Sequence, residues 1–71
     1  MNRFNPEKLL RSKWTACQPS HRSKHFVVIG LIRDDDQRVA KCELEAVISH
    51  EVLTIDCSTL KNPEAWQMGW K

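Results

Sequence analysis

Between Val39 and Ser49 the chain alternates almost without interruption: Ala40, Cys42, Leu44, Ala46 and Ile48 fall on one side, Lys41, Glu43 and Glu45 on the other. A repeat of two residues matches the pleat of a half-buried β-strand and is out of phase with a helix. Glu, Leu and Ala are good helix formers, so a helix through Glu43–Val47 is the competing reading. The strand is preferred because period 2 holds over the whole segment while the 3.6-residue pattern is ragged. Upstream, His25 to Ile32 carries Phe26, Val27, Val28, Ile29, Leu31 and Ile32. Apolar on both faces and rich in β-branched residues, it predicts a central strand. Gly30 within it marks a bulge or bend.

The rest of the chain fits around these two strands. Lys13–Cys17 alternates with Trp14 and Ala16 on one face, and Gln18-Pro19-Ser20 breaks it. Asp34-Asp35-Asp36-Gln37 is a polar turn, His50-Glu51 a tight turn, and Val52–Asp56 a fourth strand. Asn5-Pro6-Glu7 and Asn62-Pro63-Glu64 each open a helical turn: Asn caps, Pro suits the first position, and Glu suits the positive end. Such turns end in Leu9 and Leu10, or in Trp66, and must dock on something to persist. The expected fold is all-β: a small antiparallel meander curled into a barrel or half-barrel, SH3-like by analogy, with short helical turns near both termini. With 71 residues there is room for one domain, here an arm over residues 1–12, a meander over 13–57 and a Trp-rich tail over 58–71. Phe26, Val28, Leu44, Ala46, Ile55 and Trp66 are the expected core.

No apolar run approaches the roughly 20 residues that span a bilayer, and no signal-like h-region follows Met1, so a cytoplasmic protein is expected. Three cysteines, Cys17, Cys42 and Cys57, are expected to be reduced and structural. Cys17-x3-His21-x3-His25 has metal-ligand residue types, but without a Cys-x2-Cys knuckle the plain reading is that no metal and no cofactor binds. No glycine-rich loop or nucleophile–base pattern points to catalysis, so the chain is expected not to be an enzyme.

Charge is unevenly spread. Up to His25 the chain carries +5, and from Phe26 onward −3. Arg11, Lys13, Arg22 and Lys24 are therefore candidate phosphate contacts, with Trp14 and Trp70 as candidate stacking platforms for RNA or another single strand. Trp70 is the better platform, because Gly69 frees its backbone. Against this stands an ordinary solvated face with Trp14 and Trp66 in the core. The alternative function is a protein-interaction module with a Trp-lined groove.

Four strings carry a family resemblance: Asn5-Pro6-x-Lys8-Leu9-Leu10-x-Ser12-Lys13-Trp14-Thr15-Ala16, Lys24-His25-Phe26-x-Val28, Cys42-x-Leu44-Glu45-Ala46-Val47, and Leu60-Lys61-x3-Glu64-x-Trp66-x2-Gly69-Trp70. In combination they resemble the small tryptophan-rich proteins of bacteria, a domain family of unknown function. The resemblance implies a bacterial single-domain protein and brings no catalytic assignment. Ser23 stands where a Glu, and Cys57 where a Trp, belongs to that pattern.

Overall fold

The computed structural model describes residues 1–20 and 23–71. A 3-10 turn at Pro6–Lys8 precedes β1 (Lys13–Ser20), β2 (Ser23–Arg33), β3 (Val39–Ala46) and β4 (Val52–Asp56). A second 3-10 turn, Cys57–Lys61, leads to β5 (Trp66–Met68). The five strands form one antiparallel sheet in the order β4-β3-β2-β1-β5, with the two-sided apolar strand β2 at its centre.

The inner face of the sheet carries Trp14, Ala16, Phe26, Val28, Cys42, Leu44 and Ala46, and Leu9, Cys57, Leu60 and Trp66 close the core around them. Five of the six expected core residues are buried; Ile55 is half-buried and packs against the cluster. Two edge-to-face aromatic pairs organise this layer, Phe26–Trp66 at 5.3 Å and Phe4–Trp14 at 5.6 Å between ring centroids.

The sheet is not closed into a barrel, contrary to the expectation from sequence. β4 and β5 lie at opposite ends of the strand order. Segments that are not strands seal the inner face instead: the N-terminal arm through Leu9 and Phe4, and the second 3-10 turn through Cys57 and Leu60. Asn2 stitches the arm to the C-terminal part, its Nδ2 donating to the carbonyls of Leu60 (2.9 Å) and Trp66 (2.7 Å). With the core sealed this way, no contact between β4 and β5 is needed to bury it.

β2 departs from expectation on its second face. Ile29 and Ile32 are exposed there because no second layer covers most of the sheet. The register shifts between Val28 and Gly30, as the glycine predicts. Gly30 lies opposite Glu43, and a Cβ at that position would run into the Glu43 carboxylate.

Element ends also differ from the sequence reading. β1 runs on to Ser20, with Pro19 accommodated where the pairing with β2 is irregular and no ladder N–H is required. β3 stops at Ala46: His50 N–H returns to the Ala46 carbonyl and Ala46 N–H to the Glu51 carbonyl, which makes Val47–Ser49 a loop and leaves Ile48 exposed. Asn62–Ala65 forms a capped turn, with Glu64 N–H on Asn62 Oδ1, but Trp66 enters a strand because the edge of β1 offers it backbone partners at Ala16. The Asp34–Gln37 turn is as expected. Asp34 Oδ1 accepts from Asp36 and Arg38 N–H, and Gln37 takes φ +64°.

The first turn is capped by Asn5 and tied to the end of β2 by a bidentate pair, Arg33 donating to Glu7 at 2.6 and 3.0 Å. That guanidinium holds the Glu7 carboxyl below its ordinary value, chiefly by hydrogen bonding.

Candidate nucleic-acid interface

On the outer face, the alternation that sends Trp14 and Phe26 inward turns Lys13 and Thr15 of β1 and His25 and Val27 of β2 outward, as two cross-strand pairs. The chain after β5 folds back over these residues. Gly69, at φ +80°, allows the reversal, a conformation costly for residues with a Cβ.

Five hydrogen bonds then fix the last three residues. Gly69 N–H donates to the Lys13 carbonyl (2.8 Å). Thr15 Oγ1 donates to the Gly69 carbonyl (2.7 Å) and accepts from Lys71 N–H (2.8 Å). His25 Nε2 donates to the Lys71 carbonyl (2.9 Å), and Trp70 Nε1 to the Phe26 carbonyl (2.9 Å). Thr15 is buried under this clamp.

The indole of Trp70 is thus locked by its own N–H while 43% of the residue stays exposed. Lys13 Nζ lies 4.7 Å from the ring centroid, a cation–π contact, and the His25 ring sits at 5.9 Å, tilted by 37°. Beside it opens a cleft of about 350 Å³ whose rim includes Lys24, Lys71, Gln67 and Thr15. One half of the outer face is therefore basic and aromatic. β3 carries Glu43 and Glu45 outward on the other half.

Of the residues singled out from sequence, Lys13 and Trp70 meet directly and Lys24 lines the adjoining cleft. Arg11 is exposed in the left-handed position before β1, its N–H on the Val28 carbonyl. Arg22 and His21 lie outside the described residues. Trp14 is corrected: the residue is 1% exposed, its ring packed on Phe4 and its Nε1 donating to Ser12 Oγ, so it presents no stacking surface. Thr15, His25, Gln67 and Lys71 were missed as parts of the site. The alternation of β2 could have placed His25 opposite Phe26, but no local signal shows that the tail returns to β1.

A second concavity, about 370 Å³, opens on the inner side, bounded by Trp66, Phe26, Ala16, Leu53 and Asn62.

Among the described residues no three His, Cys, Asp or Glu side chains gather as a metal site. Cys42 is wholly buried, and desolvation pushes its thiol up to about 12; burial also raises Cys57. Neither is poised as a thiolate nucleophile. Among the described residues no helix is long and apolar enough to cross a membrane.

A family model described as "Tryptophan-rich protein (DUF2389)" matches residues 12–71. No curated protein and no solved structure matches the chain.

Proposed function

For a chain that belongs to this tryptophan-rich family of unknown function, we propose a non-enzymatic module that binds single-stranded nucleic acid, RNA in the first instance, through the outer-face patch around Trp70. The observation that carries this reading is an exposed indole held rigid by its Nε1 bond to Phe26, with Lys13 over the ring and Lys24 and Lys71 on the adjoining cleft. Stacking is sequence-tolerant because every base has a π-face, and it is worth roughly 1–3 kcal/mol per base. Lys13 occupies the position an incoming base would take. Swung aside, its ammonium reaches the phosphate of that nucleotide, so one movement frees the ring and supplies a charge contact.

The test is fluorescence titration with a 12-nucleotide oligo-uridine across a salt series. Trp14 and Trp66 are buried, so quenching reports mainly on Trp70. Three lysine contacts give a slope of log K against log salt of about −2 for a single strand. Trp70→Ala should remove most of the affinity, and Lys13→Ala and Lys24→Ala should each flatten the slope. Binding that is absent at 50 mM salt, or unchanged in Trp70→Ala, refutes the reading. Salt-insensitive capture of a protein segment that Trp70→Ala leaves intact would favour instead the interaction reading through the Trp66 groove.

A further inference from the structure

We propose that β4 is a self-association edge: two copies of this chain pair antiparallel through Val52–Asp56 about a two-fold axis at Thr54, joining their sheets into one of ten strands. The two edges of the sheet are treated differently. At one end β5 is three residues long and the chain then turns away over the outer face, which blunts that edge. At the other end β4 is longer, carries no proline or lysine, and among the described residues pairs as a strand only with β3. Ten large apolar side chains are exposed among the described residues, and four of them, Val47, Ile48, Val52 and Leu53, fall within this hairpin.

The register says which backbone groups are free. Ala46 N–H bonds the Glu51 carbonyl at the hairpin end, so bonded and non-bonded pairs alternate from there. Leu44–Leu53 and Cys42–Ile55 are the bonded pairs, whereas Glu45–Val52, Glu43–Thr54 and Lys41–Asp56 are not. The N–H groups of Val52, Thr54 and Asp56 therefore point away from β3.

The sequence of this edge matches itself when reversed. With Thr54 on the axis, Thr54 meets Thr54 of the second copy, Val52 meets Asp56, and Leu53 meets Ile55. The outward-pointing groups then face one another, the apolar pair falls on the inner side, and no like charges stand opposite. That self-match is what selects a second copy as the occupant over a foreign strand. A five-residue edge contributes less than the ~800 Å² per partner of a standard interface, so the dimer is expected to be weak, with Kd on the order of 10–100 µM. Both Trp70 patches would lie on one side of the joined sheet, but the proposal does not depend on their binding nucleic acid.

Sedimentation velocity on the full chain from 5 to 500 µM, with amide hydrogen exchange at both ends of that range, tests it. The wild type should pass from monomer to dimer, and the Val52 and Thr54 amides should become protected only at high concentration. Thr54→Lys puts two ammonium groups on the axis but faces Glu43 within its own chain, so the monomer is kept while Kd rises at least ~10-fold. Thr54→Pro removes an N–H that the β3–β4 ladder does not use and should act alike. A wild type still monomeric at 500 µM overturns the proposal. So does a dimer in which the Thr54 amide stays unprotected, or one that Thr54→Lys leaves unweakened.

Discussion

Replacing Trp66 by Ala separates the core tryptophans from the surface one. Trp66 is 7% exposed, meets Phe26 edge-to-face at 5.3 Å and stands beside Ala16 across β1 and β5. Ala16 is too small to move into the space, and Leu60 is held by the 3-10 turn, so collapse around the deletion is limited. Large aromatic-to-Ala changes in a core cost about 3–5 kcal/mol. A folded chain of this length has roughly 4–11 kcal/mol in total. At ~4–8 °C per kcal/mol for so small a domain, the midpoint should fall by on the order of 20 °C. Trp70→Ala is the control. It loses one hydrogen bond, worth about 1 kcal/mol, and an exposed cation–π contact of about 0.5 kcal/mol. Urea unfolding followed by far-ultraviolet circular dichroism measures the free-energy cost of both, and thermal melts followed by the same signal give the midpoints. An unchanged m-value in Trp66→Ala keeps the comparison within two-state behaviour. If Trp66→Ala costs no more than Trp70→Ala, the inner layer does not hold together as described, and Trp66 belongs to a binding surface.

Three further outcomes follow from local structure. Gln37→Gly should raise stability by about 0.5–1 kcal/mol in the same urea assay, because Gln37 occupies the left-handed position of the β2–β3 turn and serves the turn through its backbone, which glycine keeps: its N–H donates to the Asp34 carbonyl and its carbonyl accepts from Arg33. Cys42 has a folded-state pKa raised to about 12 by burial, above its unfolded value, so its contribution is complete below the usual thiol range and is lost as pH rises from there toward 12. Unfolding midpoints measured from pH 7 to 11 should fall accordingly, and the fall should shrink in Cys42→Ala. At pH 8 a thiol reagent should label the half-exposed Cys17 well before Cys42 or Cys57.

Local pattern made most of the strands readable. Side chains that alternate between water and core announce a strand wherever the backbone partners lie, and so β2, β3 and β4 and their polar turn were evident from residue order. The left-out portion was set by distant partners. Nothing near Trp66 says strand, since Asn62-Pro63-Glu64 is a turn signal, and only the open edge of β1 draws the residue into pairing. The same holds for the loop at Val47–Ser49, whose Ile48 fits the period of β3 but lies beyond the hairpin closure.

The candidate site divides along the same line. Gly69 beside an aromatic, and a basic N-terminal third, pointed to Trp70, Lys13 and Lys24. Residue order ranked Trp70 above Trp14 as a platform but did not decide which of the two is buried, because burial depends on which face receives the arm and which receives the tail. By itself the sequence determined an all-β chain, since alternation is a property of neighbours along the backbone. Only the tertiary structure decided that the sheet stays open and that the tail clamps Trp70 onto the outer face. Those outcomes rest on hydrogen bonds from Asn2 to Leu60 and Trp66 and from Thr15 to Gly69, between residues more than fifty positions apart, which no local periodicity encodes.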